Sequence, residues 1–245
     1  MAPQSLTGKS ALVTGGARRI GRAIALALAH AGADVAITYR NSQAAATKTV
    51  AEIESLGVRS LAVECDVRSE PSVRSTIAAV TAQFGSLDIL VNNAAIFDTS
   101  SLADLNLAQW DAVFETNTRG PFLVAREALP ALRAAQGRIV NIGSLGGIHA
   151  WASHAHYSAS KAALHSLTQS MAKAFAPQVS VNCVAPGWIE SEESSGREAD
   201  HFRAKTPMGR NGAADDIAQA VLFFAAGPSF VTGQILAVDG GLGLT

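Results

Sequence analysis

Seven short apolar runs recur along this chain of 245 residues, separated by longer segments of helical periodicity, and that alternation fixes the fold class before any motif is considered. The runs are SALVT (10–14), DVAITY (34–39), SLAVE (60–64), DILVN (88–92), RIVNIG (138–143), VSVNCV (179–184) and QILAV (234–238). A strand with one wet face would alternate apolar and polar residues. These do not, so both faces of the sheet must be covered. Helices are predicted over 20–31, 43–56, 70–84, 107–134, 155–176 and 214–226. With right-handed crossovers, this order gives an α/β, doubly wound, seven-stranded parallel sheet of Rossmann type with helices on both faces. Ligands of such sheets bind beyond the carboxyl ends of the strands. Gly15, Arg40, Asp66, Asn92, Ser144 and Pro186 all lie just after predicted strands.

No linker divides residues 1–245, so a single domain is expected, with a polar, serine-rich substrate flap near 189–206. Apolar residues are 48% of the chain and charged residues 16%, which leaves little charged surface for a monomer and predicts self-association. The net charge of -1 gives no field to attract nucleic acid or an anionic membrane, and no apolar stretch has the length of a signal peptide or a span. A cytoplasmic protein is expected. Cys65 and Cys183 fall in predicted strands without ligand spacing and read as reduced core thiols. His154 and His156 lack a third ligand, so no metal is expected.

The turn TGGARRIG joins the first strand to the first helix. Gly15 and Gly21 allow a tight bend and close backbone approach, while Arg18, Arg19 and Ile20 stand at the helix start, where free N–H groups and the helix dipole attract a pyrophosphate. An NAD-binding fold ends its second strand in an acid that holds the ribose hydroxyls. Here that end reads Tyr39, Arg40, Asn41, Ser42. An absent acid flanked by the guanidinium groups of Arg18 and Arg40 suits a phosphate dianion, so NADP(H) is the expected cofactor.

Tyr157 and Lys161 in YSASK are four residues apart and share a helix face, so the ammonium is expected to favour phenolate and bring the phenol toward neutral acid/base work. Ser144 ends the NIGS run and NNAA follows the fourth strand. With TGGARRIG, CDV, NTRG, PGWIES and VDGG, these motifs make the chain resemble the short-chain dehydrogenase/reductase family from about residue 7 to the C-terminus.

The resemblance implies a tetrad of Asn117, Ser144, Tyr157 and Lys161. In it Tyr157 donates a proton as hydride reaches the carbonyl carbon, and Ser144 orients the oxygen. Lys161 tunes the tyrosine and holds the nicotinamide ribose, while Asn117 supports a water relay. It further implies that Asp66 and Val67 meet the adenine, that Asn92 and Ala94 line the cofactor, and that Pro186, Gly187, Ile189 and Ser191 close over the nicotinamide. The C-terminal motifs resemble ketoacyl-carrier-protein reductases, for which Arg126 and Arg133 are candidate carrier contacts. Arg19 and Phe97 resemble pteridine reductases, which makes dihydropterin reduction the alternative, although Ser144 stands where those enzymes have aspartate. Phe97, Ser144, Trp151 and Trp188 are the expected substrate wall. A cofactor-sensing protein without catalysis is the third reading. The helices predicted at 107–134 and 155–176 pair across a subunit interface in similar proteins, so a homotetramer, or failing that a dimer, is expected.

Overall fold

A computed structural model describes residues 5–191 and 196–245. Its seven strands form one parallel sheet in the order β3-β2-β1-β4-β5-β6-β7. They are β1 Ser10–Val13, β2 Asp34–Tyr39, β3 Ser60–Glu64, β4 Ile89–Asn92, β5 Arg138–Ile142, β6 Ser180–Pro186 and β7 Ile235–Val238. The winding reverses between β1 and β4, whose pairing aligns Val13 with Val91, and this switch point opens a crevice beyond both strand ends.

Successive side chains on a strand point to opposite faces, and here both faces are packed. Ala11 and Val13, Val35 and Ile37, Ile89 and Val91 enter one core cluster with Ile24, Leu28 and Val221. Their neighbours Leu12, Ala36 and Leu90 enter the other with Val80, Leu132 and Met171. The missing polar alternates of the sequence follow from this double burial. One face is covered by α1 Arg19–His30, α2 Gln43–Ser55 and, further along, α8 Ala214–Ala226; the other by α3 Glu70–Phe84, α5 Gly120–Ala134 and α6 Ala155–Phe175.

Two segments depart from expectation. The single helix predicted at 107–134 is built as α4 Leu107–Phe114, a π-helical turn Glu115–Arg119 and then α5. Pro121, the second residue of α5, has no N–H for the carbonyl of Asn117, so one α-helical rung is missing where the π turn meets α5. In the expected flap, residues 192–195 lie outside the described residues, but Arg197–Lys205 forms α7. Glu198 and Asp200 in its first turn and Arg203 and Lys205 in its last complement the helix dipole. Trp188 stacks on Phe202 with ring centroids 4.3 Å apart, seating this helix against the end of β6.

Candidate active site

The crevice at the switch point is a cleft of about 490 Å³ running from the Gly15 turn past β2 and the segment after β3 to Tyr157. Gly15 has a φ of +63°, and a Cβ there would approach the Ala94 Cα to 3.1 Å. Gly21 is tucked against the Gly15 carbonyl and the Asn93 amide with no room for a side chain. Thr14 fixes the two loops together: its hydroxyl accepts from the backbone N–H groups of Asn93 and Ala94, each at 3.0 Å. Asn93 Nδ2 donates back to the Thr14 and Gly15 carbonyls at 2.9 and 3.1 Å.

Arg18, Arg19, Arg40 and Asp66 all line this cleft, with Ile20, Tyr39, Asn41, Ser42, Val67, Ala94 and Phe97. Arg19 holds a left-handed φ of +52°, a conformation that favours glycine, so its side chain is kept there at a cost on the order of 1 kcal/mol. Among the described residues Asp66 is the only carboxylate of the lining, and Arg68 binds it at 2.6 Å; that bond, helped by Arg40, holds the acid down at about 2. The guanidinium groups of Arg18, Arg19 and Arg40 along this cleft fit a phosphorylated dinucleotide.

Asn92 is not where it was expected. Buried, it donates to Asn141 at 2.9 Å, and Asn141 donates to Thr168 at 2.9 Å beneath the sheet end. Asn93 takes its place at the cleft, because consecutive residues leaving a strand face opposite ways. Sequence reasoning also missed Thr38 and Cys65 as lining residues. Pro186, Gly187, Ile189 and Ser191 lie at and beyond the carboxyl end of β6, outside the lining of this cleft. Ile189 pairs with Gly212 instead, and Gly187 packs against Asp239.

At the inner end, Tyr157 hydrogen-bonds Ser144, whose hydroxyl also accepts from the Gly146 N–H at 3.0 Å. Lys161 is buried, donates to the Ile142 carbonyl at 2.8 Å and lies 5.8 Å from the tyrosine ring centroid. Burial lowers Lys161 to about 8. Burial also raises the phenol above its ordinary value, only partly offset by the Ser144 bond. The shift runs opposite to the one expected from the lysine: burial, not the ammonium, sets its direction.

Asn117 is fully buried in the π turn. Its Oδ1 accepts from the Ile96 N–H at 2.9 Å, and its Nδ2 donates to the Ile96 carbonyl at 3.0 Å and Ser160 at 3.1 Å. Its side-chain amide therefore clamps the loop after β4 onto α6, and is committed to that task.

Phe97 is 56% exposed, stacks on His154 at 4.5 Å and meets Tyr157 edge-on at 4.8 Å. Trp151 packs edge-on to His154, and Trp188 against Phe202, so neither lines this cleft. His156 is fully buried beside Tyr157, 3.5 Å from Asp98. Among the described residues no group of three His, Cys, Asp or Glu is placed to hold a metal, and no helix is long and apolar enough to cross a membrane. Arg126 is engaged with Glu70 at 2.9 Å and with the Phe122 ring.

Residues 15–243 match the family model described as Enoyl-(Acyl carrier protein) reductase. The chain belongs to the short-chain dehydrogenase/reductase family. As a member of this oxidoreductase family it is 40% identical over 240 residues to the 3-oxoacyl-[acyl-carrier-protein] reductase FabG of Staphylococcus aureus, covering 96% of this chain and 98% of the relative. It is 36% identical over 246 residues to the L-rhamnose 1-dehydrogenase (NAD(P)(+)) of a Sphingomonas species, covering 97% of each. A short-chain dehydrogenase from Burkholderia cenocepacia, solved in complex with NADP, superposes with a TM-score of 0.92 at 42% identity, covering 97% of this chain and 98% of the other. The chain is thus similar both to a 3-oxoacyl-[acyl-carrier-protein] reductase, at 40% identity, and to a sugar dehydrogenase, at 36%. This similarity establishes the dehydrogenase/reductase fold and leaves the substrate to the site.

Proposed function

We propose that this short-chain dehydrogenase/reductase is an NADPH-dependent carbonyl reductase that uses Tyr157 as proton donor, with a 3-oxoacyl-type ketone as the first substrate class. The observation that carries this reading is the placement of the Tyr157 phenol beside Ser144 at the inner end of a cleft whose outer end presents Arg18, Arg19 and Arg40.

When bound, the cofactor supplies the hydride. The arginines and the N-terminus of α1 would hold its phosphates, and Lys161 keeps ammonium N–H groups beyond its bond to Ile142 for a ribose. Ser144 aligns the substrate oxygen, and the Tyr157 O–H gives that oxygen its proton as negative charge develops. A phenol above its usual value is the correct protonation state for reduction. Asn117 acts by holding the loop after β4 in place through Ile96. Arg126 is tied to Glu70, so a carrier-protein contact through it requires that pair to open.

A second reading, reduction of a dihydropterin, is favoured by Phe97, whose exposed ring stands edge-on to Tyr157. The two are separated by following NADPH consumption with acetoacetyl-CoA, small ketones, aldoses and a dihydropterin. Acetoacetyl-CoA or a ketone is expected to turn over; turnover of dihydropterin alone would reverse the order. We also infer a homotetramer, since helices α5 and α8 carry exposed phenylalanines, Phe122 and Phe223.

A further inference from the structure

One buried titratable group behind the site has no part in the reaction described above. His165 lies one turn of α6 beyond Lys161 and two beyond Tyr157, in an i, i+4, i+8 row along one face. It is only 9% exposed. Its imidazole occupies space left by two glycines: a Cβ on Gly143 would collide with Nε2, and one on Gly147 would stand 2.7 Å from Cε1. These glycines bracket Ser144; the Cys183 Sγ also crowds Gly143, and the α6 backbone at Lys161 and Ala162 also crowds Gly147, so that the ring is the one movable support on the α6 side. Nε2 has no hydrogen-bond partner, so the ring is held by shape and by its contact with the Gly147 backbone. The ionisable groups facing it are Lys161 on α6 and Cys183 on β6. Burial, then the Lys161 ammonium, push His165 down to about 4, and burial pushes the Cys183 thiol up to about 12, so both are neutral in the working range.

We propose that His165 is a positioning residue that props the Gly143–Gly147 segment from beneath, keeping the Ser144 hydroxyl in bonding reach of Tyr157. This rests on the reading of Tyr157 as proton donor. A polar ring that stays uncharged fills the space without placing a second cation beside Lys161. With a smaller or more flexible side chain the Gly143 end of the segment, which unlike Gly147 has only side chains beneath it, settles inward, Ser144 withdraws, and the interaction that favours phenolate is lost. The tyrosine then ionises at higher pH.

The chain has only two tyrosines, Tyr39 and Tyr157, so in a Tyr39→Phe background the tyrosinate absorbance titration of the full chain reports Tyr157 alone. His165→Leu and His165→Ala are expected to raise its midpoint by about half a pH unit or more, and His165→Asn, planar and polar again, to recover most of the shift. Ser144→Ala raises the midpoint by itself, and adding His165→Leu to it should add almost nothing, because both act on one bond. If both His165→Leu and His165→Ala leave the midpoint unchanged and only lower the melting temperature, His165 is a space filler and the proposal fails. It fails equally if the shift persists in the Ser144→Ala background. Should Tyr157→Phe retain turnover, the proton-donor reading is what falls, and the titration still decides how His165 acts on Ser144.

Discussion

Lys161 is a charged amine buried with one backbone carbonyl as its hydrogen-bond partner among the described contacts, and that arrangement costs stability. Its value falls from 10.5 to about 8 on folding, so the unfolded chain binds more protons between those limits. Stability therefore rises with pH across that window, and below about 8 the full penalty is present. Lys161→Met should accordingly stabilise the protein at pH 7 by on the order of 1–3 kcal/mol, flatten the alkaline rise and abolish turnover. Denaturant melts at pH 7 and pH 10 test this, and a destabilised variant at pH 7 would mean that the ammonium is better solvated than the structure shows. At this scale the residue types of the site were legible: spacing and motif order brought Ser144, Tyr157 and Lys161 together. The direction of the Tyr157 shift was not, because burial is a tertiary quantity that spacing does not carry. Asn92 was mistaken for Asn93 for a related reason, since the residue at which a strand ends decides which neighbour faces the cleft.

Among the elements, the break between α4 and α5 has the clearest consequence for the site. The π turn rotates Asn117 inward to clamp Ile96 and Ser160, and Pro121 enforces it by withholding one N–H. Pro121→Ala restores that donor and lets the segment relax to α-helix, turning Asn117 away from the loop after β4. We expect turnover to fall roughly tenfold or more while the melting temperature changes little, since Pro121 stands in the first turn of α5, where a proline carries little intrinsic cost. Unchanged turnover with unchanged stability would show that the π turn does not depend on the proline. The proline was visible in the sequence, yet the apolar period runs straight across 107–134 and masks it. Helix α7 was hidden in the opposite way. Its residues are too polar to show a core-facing period, and only the order of its charges, acids first and bases last, marks it as helical. The strands were read within a residue or two because double burial writes itself as unbroken apolar runs.

For the whole molecule, low charge content leaves apolar groups on more than one face, Trp110 and Phe122 on α4 and α5, and Phe223 and Leu236 on α8 and the edge strand β7. Two separate patches are what a tetramer with two kinds of interface needs. Light scattering is expected to give the mass of four 25.3 kDa chains at micromolar concentration, and a monomer would contradict it. The sheet order itself places the arginine-lined turn and the tyrosine at opposite ends of one crevice, and the central claim is that this crevice joins NADPH binding to proton donation by Tyr157. The most direct test measures NADPH affinity and ketone turnover together in the parent and in Tyr157→Phe. The account predicts that affinity stays within about threefold while turnover falls at least ~100-fold, as loss of a general acid requires; a variant that still reduces the ketone at the parent rate would contradict it.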